Sequence, residues 1–272
     1  MSRLRPSQTC AANGVTVEYV LHGRGDPILV LPGASLSFAY LEALADALAG
    51  AGYCAIRVNP RGSGKSAGPV GPVSMHTYAD DLRILIDHLN VGPVDIAGHA
   101  FGNRIARATA HDHPDAVKSV ILLAAGGAVA PSPEASAALQ VILAPDAPPD
   151  QIMQAMRYMV GNAEDAEAGW AAVKSSRSPG VSAMQRQAMA DPDRDWLGAP
   201  DRWPWLVVQG SQDQIAPPIN GEQLKARHGD KVTLVSIEGT GHLMVVTRPD
   251  ETTRAIMAFF QQRQVPDSLV SN

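Results

Sequence analysis

Three short stretches put reactive residue types where an apolar run gives way to a turn. The first is Gly98-His99-Ala100-Phe101-Gly102, which follows Val94–Ala97 and opens a helical stretch from Phe101 to His111. That strand–turn–helix setting belongs to a nucleophile elbow, where a sharp turn lifts one side chain above a sheet. Glycines on either side let strand and helix pass without side-chain clash. The residue so presented is Ala100, a methyl group where acyl-transfer chemistry needs a hydroxyl or thiol. The second stretch is Gln209-Gly-Ser-Gln-Asp213, a carboxylate just past the run Trp205–Val208. The third is Glu238-Gly-Thr-Gly-His242, just past Val232–Ile237. In this order His242 can take and return a proton, while Asp213 fixes its tautomer and stabilises the imidazolium.

Such groups cooperate only if the elements carrying them end at one edge of one sheet. Ile28–Leu31 is a continuous apolar run stopped by Pro32-Gly33, the pattern of a strand buried on both faces. Cys54–Val58, Val94–Ala97, Val117–Ala124, Trp205–Val208 and Val232–Ile237 are the further strands. Between them, Ala39–Leu48, Thr77–Leu89, Phe101–His111 and Arg248–Gln262 carry apolar residues at helical spacing. The alternation predicts an α/β fold, a mostly parallel twisted sheet with helices on both faces. From Gly126 to about Asp195 the strand signal stops, and five of the nine methionines fall there. Three or four short helices fit this segment, one of them from Pro149-Asp150 to Gly161. The expected organisation is a core of residues 1–127 and 196–272, with 128–195 as a helical cap.

With 272 residues, 45% of them hydrophobic, the chain can bury one sizeable core. A net charge of −5 without basic blocks argues against nucleic acid or an anionic membrane as partner. No run approaches the ~20 apolar residues of a membrane span, and the N-terminus lacks the apolar core of a signal peptide. Cys10 and Cys54 have no metal-type spacing and are expected as free thiols in a reducing cytoplasm. A monomer and a homodimer are both open.

Five stretches in order, Leu31-Pro-Gly-Ala34, Asn59-Pro-Arg-Gly-Ser-Gly-Lys-Ser66, Gly98–Gly102, Gly-Ser-Gln-Asp213 and Gly241-His242, carry a resemblance to the α/β-hydrolase fold superfamily with a helical cap. It extends over nearly the whole chain. The resemblance implies an oxyanion hole from the backbone N–H groups of Ala34 and Phe101, each worth about 3–4 kcal/mol to an acyl-transfer transition state. It implies no metal and no organic cofactor. The expected substrate is a mostly apolar small molecule cleaved at an ester, lactone, amide or activated C–C bond. Two positions depart from the pattern: Asn59, often aspartate in relatives, and Ala100 in place of the nucleophile.

Three readings of Ala100 follow. The chain is a Ser-His-Asp hydrolase inactivated by a Ser→Ala change; or a natural serine-free enzyme in which the His242–Asp213 dyad works as a lyase, isomerase, cyclase or water-activating hydrolase; or a non-catalytic small-molecule binding protein. Retention of both Asp213 and His242 speaks against the last, since a binder gains nothing from a buried charge pair. Expected substrate contacts are Phe38 and His99 beside the site, and Met153, Met156, Trp170 and Met184 from the cap. Methionine adapts to irregular apolar ligands, although simple packing also explains the stripe Ile152, Met153, Met156, Met159, Val160. Gly62-Ser-Gly-Lys-Ser-Ala67 formally matches a dinucleotide pattern, but Pro69 and Pro72 leave no helix N-terminus to hold a pyrophosphate. His76, His88, His111 and His113 read as surface residues, and Asp80, Asp81, Asp191, Asp193 and Asp195 as members of solvated faces.

Overall fold

The continuous apolar runs exist because the central strands are covered on both faces. In β3 (Pro27–Leu31), Leu29 and Leu31 point into one core while Ile28 and Val30 point into another. The same alternation recurs in β4 (Cys54–Asn59), β5 (Val94–His99), β6 (Val117–Leu123) and β7 (Trp205–Gly210). Each fully buried aliphatic side chain removed from water contributes roughly 1.5–3 kcal/mol, so both faces must be covered. One core is closed by α2 (Met75–Leu89) and α3 (Phe101–Asp112), the other by α1 (Glu42–Gly50) and α10 (Pro249–Gln264).

The computed structural model describes residues 5–264 apart from 145, 179, 193 and 201. Its eight-stranded sheet has the order β1-β2-β4-β3-β5-β6-β7-β8, with β8 spanning Val232–Ile237. The strands from β4 to β8 in that order pair in parallel. β1 (Gln8–Ala12) and β2 (Val15–His22) join antiparallel. These two strands were not among the expected elements. β1 is exposed except at Cys10, so it presents no apolar run. The chain reverses its direction of spread at β3, whose neighbours are β4 and β5. Such a switch point opens a crevice at the strands' carboxyl ends.

Helix boundaries follow local chemistry. The expected helix from Thr77 begins at Met75, because Ser74 caps it in a reciprocal box with Thr77. The expected helix from Ala39 is a 3₁₀ turn, Phe38–Leu41, that runs on into α1. Between β6 and β7 come α4 (Pro133–Leu143), α5 (Pro149–Val160), α6 (Ala166–Ser176) and α7 (Val181–Met189), with no named strand. After β7 lies α8 (Ile219–His228), and a short α9 (Met244–Thr247) precedes α10. Asp81 corrects the sequence reading: it is buried and takes a bidentate pair from Arg61. Asp193 lies outside the described residues. His76 binds Asp112 and His113 binds Asp80, so these histidines tie α2 to the end of α3. Cys10 and Cys54 are free. No helix among the described residues is long and apolar enough to cross a membrane.

Candidate active site

The turn between β5 and α3 holds Ala100 at φ 49° and ψ −105°. That combination lies outside the small left-handed region open to L-residues, so the alanine is strained. The flanking glycines make the turn possible. A Cβ on Gly98 would stand 2.2 Å from the Gly102 carbonyl oxygen, and one on Gly102 would stand 2.7 Å from the Leu31 carbonyl oxygen. The Ala100 N–H donates to Leu123 O at 3.0 Å, anchoring the turn to the neighbouring strand.

Asp213 is buried in the turn after β7. Its Oδ1 accepts the N–H groups of Ile215 (2.9 Å) and Ala216 (2.7 Å), which leaves Oδ2 for His242 Nδ1 at 3.0 Å. A carboxylate only accepts, so Nδ1 carries the proton and Nε2 is the free basic nitrogen. His242 is buried and lines the same cavity as Ala100. The loop bearing it is held from outside the sheet. The N–H groups of Gly241 and Leu243, on either side of His242, donate to Val160 O (2.7 Å) and Met159 O (3.0 Å) at the end of α5. The inter-strand helices therefore fix the histidine loop as well as covering it.

His99 joins the two sides of the site. Its Nε2 lies 2.8 Å from the His242 carbonyl oxygen, an acceptor, so Nε2 donates. The other nitrogen, Nδ1, then accepts from the Tyr40 hydroxyl at 2.7 Å, and the Tyr40 oxygen accepts the Gly33 N–H at 2.7 Å. Burial first, then the neighbouring His242, push the His99 imidazolium down to about 3, only partly offset by the bond to the His242 carbonyl. The neutral ring is the one this network needs. Burial likewise raises the Tyr40 phenol, against the pull of the Gly33 N–H. The loop after β3, the elbow and the histidine loop are thus one hydrogen-bonded unit.

The cavity at this edge has a volume of about 480 Å³. Gly33, Ala34, His99, Ala100, Phe101 and His242 form its floor, and Leu139, Ile142, Leu143, Met159, Val173 and Met189 come from α4–α7. The N–H groups of Ala34 and Phe101 have no acceptor among the described residues; that of Phe101 is the first of its helix, where none is available internally.

Of the expected substrate contacts, only His99 lines this cavity, and both of its nitrogens are engaged in the network. Phe38 stacks under the Arg57 guanidinium at 5.2 Å. Met156 is fully buried, while Met153 and Trp170 pack against the same core, and Arg177 lies 4.8 Å from the Trp170 ring. Met184 packs against the other core, near Gly62. Met159 and Met189 reach the cavity instead, as do three apolar residues of α4. Helical spacing located the apolar stripe but not which of its members meets the cavity. Tyr40 was also missed: its role depends on a contact 59 residues away.

Among the described residues no group of three or more His, Cys, Asp or Glu could hold a metal ion. Asn59 is structural: its Oδ1 accepts the Phe38 N–H at 2.7 Å and its Nδ2 donates to Glu18 at 2.9 Å.

A family model described as alpha/beta hydrolase fold matches residues 26–158. A poly(3-hydroxyalkanoate) depolymerase of Ectopseudomonas oleovorans is 26% identical over 249 residues, covering 88% of this chain and 85% of that protein. An (E)-2-((N-methylformamido)methylene)succinate hydrolase of Acinetobacter baylyi is 24% identical, covering 92% of this chain and 96% of its own. Among solved structures, a thermophilic esterase from Thermogutta terrifontis superposes with a TM-score of 0.74 at 26% identity, over 97% of this chain and all of the esterase (100% of that chain). The sheet order, the strained elbow and these likenesses agree: the chain has the α/β-hydrolase fold, and the three proteins just named are hydrolases.

Proposed function

We propose that this edge is built for acyl-transfer hydrolysis of an ester, lactone, amide or activated C–C bond in a mostly apolar small molecule, with alanine standing at the nucleophile position. The observation that carries this reading is the Ala100 backbone, strained at φ 49° and ψ −105° beside a histidine already oriented by a carboxylate. A methyl group gains nothing from that conformation. A hydroxyl there would pass its proton to His242 Nε2 as its oxygen attacks the carbonyl carbon. The developing oxyanion would meet the N–H groups of Ala34 and Phe101, at about 3–4 kcal/mol each. His242 would then protonate the leaving group, and water would repeat the sequence to release the acid. Helices α4–α7 act as the lid that shapes and dries the cavity. The likeness to an esterase favours an ester. A cytoplasmic setting fits the two free thiols.

The test is Ala100→Ser assayed on short acyl esters. Removal of a nucleophile of this kind lowers turnover by ~10⁴–10⁶, so the serine should raise it by a comparable factor, and His242→Ala in the same chain should abolish the gain. A parent chain that already turns over ester, with no gain from serine, overturns the reading. It would favour the serine-free dyad, for which one observation speaks: the Asp213–His242 pair is complete without any hydroxyl at position 100.

A further inference from the structure

A second cavity, of about 280 Å³, lies on the other side of Gly126-Gly127 from the first. Arg104 and Arg107 of α3, Arg194 and Arg227 line it, and no acidic residue does so among the described residues. Several arginines elsewhere are paired with acids. Arg61 faces Asp81, Arg83 faces Asp87, Arg248 faces Asp165 and Arg263 faces Asp95. Arg104 makes no hydrogen bond or ion pair with a described residue. Arg107 is fixed in place, donating to Leu197 O and stacking 5.1 Å from the Trp205 ring. Burial first, then the charges of Arg104 and Arg227, push the Arg107 guanidinium down to about 10. The Trp196 indole N–H, on the same lining, is buried without a partner. Four cations and a spare donor converge on one space in a chain whose net charge is −5. Arg194 and Arg227 stand at the exposed rim, whereas Arg104 and Arg107 are half-buried, where charge without a counter-ion is costly until an anion compensates it.

The two cavities share Arg104, Gly126 and Gly127 as lining. A Cβ on Gly126 would approach an Arg104 Nη to 3.6 Å, so glycine leaves the guanidinium uncovered at the shared wall. Asn220 holds that wall in place, accepting the Val129 N–H and donating to Val129 O, both at 2.9 Å. We propose that the arginine cavity is the anion subsite of the apolar cavity: the ligand is an amphiphile whose multiply charged oxyanion head sits among Arg104, Arg107, Arg194 and Arg227 and whose apolar arm crosses Gly126-Gly127 toward Ala100. Fork-shaped guanidinium groups suit a phosphate-type head. This rests on the acyl-transfer reading only in taking the apolar cavity as the substrate's place.

Binding to the chain with Ala100 in place, measured by calorimetry, tests it without any turnover. The probes are inorganic phosphate as head, 1-hexanol as arm and hexyl phosphate as both. Hexyl phosphate should bind at least tenfold tighter than either part. Arg104→Gln should remove most of that advantage. Arg227→Gln, at an exposed position that the fold tolerates, should weaken hexyl phosphate severalfold. Hexyl phosphate binding no tighter than hexanol, or tight binding indifferent to both substitutions, overturns the proposal. Phosphate binding to which the hexyl arm adds nothing also overturns it, by separating the two cavities. Failure of the acyl-transfer reading is seen elsewhere, as absence of ester turnover by Ala100→Ser.

Discussion

Two glycine-rich turns leave the sheet on either side of β3, and they use glycine to opposite ends. After β5, Gly98 and Gly102 bring strand and helix together so that position 100 stands over an open cavity. After β4, the turn from Pro60 to Ser66 closes around a buried carboxylate. A Cβ on Gly64, at φ 56°, would stand 2.1 Å from Glu18 Oε2 and 2.3 Å from Asn59 Nδ2. Glu18 Oε2 also accepts the Lys65 N–H at 2.8 Å, and the Glu18 N–H donates to Ser66 Oγ. Burial would raise the Glu18 carboxyl, but the bonds from Lys65, Ser7 and Asn59 and the Lys65 charge outweigh it and hold it below the usual range. Glycine spacing alone says that something comes close. What comes close, a ligand or the protein's own carboxylate, depends on the strand opposite.

The largest effect should come from filling the elbow. In Gly98→Ala the new methyl meets the Gly102 backbone, which cannot move without separating β5 from α3. Loss of about 4 kcal/mol or more is expected, read as a fall in the urea midpoint or as failure to fold. A midpoint within a few tenths of the parent's would mean that the close approach is not what the turn requires.

The elbow's network should show itself next, through pH. His99 is depressed to about 3 from an ordinary value near 6.5. The unfolded chain takes up this proton as pH falls through 6.5, whereas the folded chain does so only near 3. The folded state therefore loses stability across that window as pH drops, by up to about 1.4 kcal/mol per unit. Between pH 7 and pH 4 the parent should lose about 3 kcal/mol more than His99→Asn, which has no such proton. Parallel stability curves for the two chains would remove the neutral, two-handed role given to His99.

At the filled turn the effects should be smaller. Glu18→Gln keeps the shape but loses the charged acceptor of the Lys65 N–H and Asn59, at about 1–3 kcal/mol near neutral pH. Because the folded carboxyl is held below 4.5, its contribution is present above that value and fades as pH falls through the lower, folded one. The difference between parent and variant should thus shrink in acid. A difference that grows in acid would contradict the direction assigned to Glu18.

These two turns also mark where sequence reasoning stopped. The elbow was legible because its whole context, strand, turn and helix, lies within some twenty consecutive residues, and because Asp213 and His242 each follow a short, mostly apolar run. The fold was legible for the same reason: strands covered on both faces are mostly apolar. The filled turn was only half legible. Its carboxylate sits on β2, a strand with a mixed pattern whose partner β1 is almost wholly exposed. The cavity contacts were least legible. Met156 and Met159 are neighbours on one helix face and both are core, yet only Met159 also lines the cavity, which depends on how α5 is set against the Gly241–Leu243 loop. Tyr40 and the shared wall at Gly126-Gly127 exist only in three dimensions.

The smallest effect separates strain from mere handedness. Asn90 and Ala100 both have positive φ, 50° and 49°. Asn90 has ψ 42°, inside the left-handed well that asparagine tolerates, and ends α2 there. Ala100 has ψ −105°, outside it. Glycine at position 100 would relieve about 1–3 kcal/mol of backbone strain and give back some of it, roughly 0.5–1 kcal/mol, in the entropy of the unfolded chain. A net gain of about 1 kcal/mol is expected for Ala100→Gly, against a change of a few tenths for Asn90→Gly. Thermal unfolding of the two variants beside the parent decides the matter. Equal shifts would mean that position 100 carries no more strain than an ordinary helix end. The Ala100 conformation would then no longer stand as the mark of a side chain held out for chemistry.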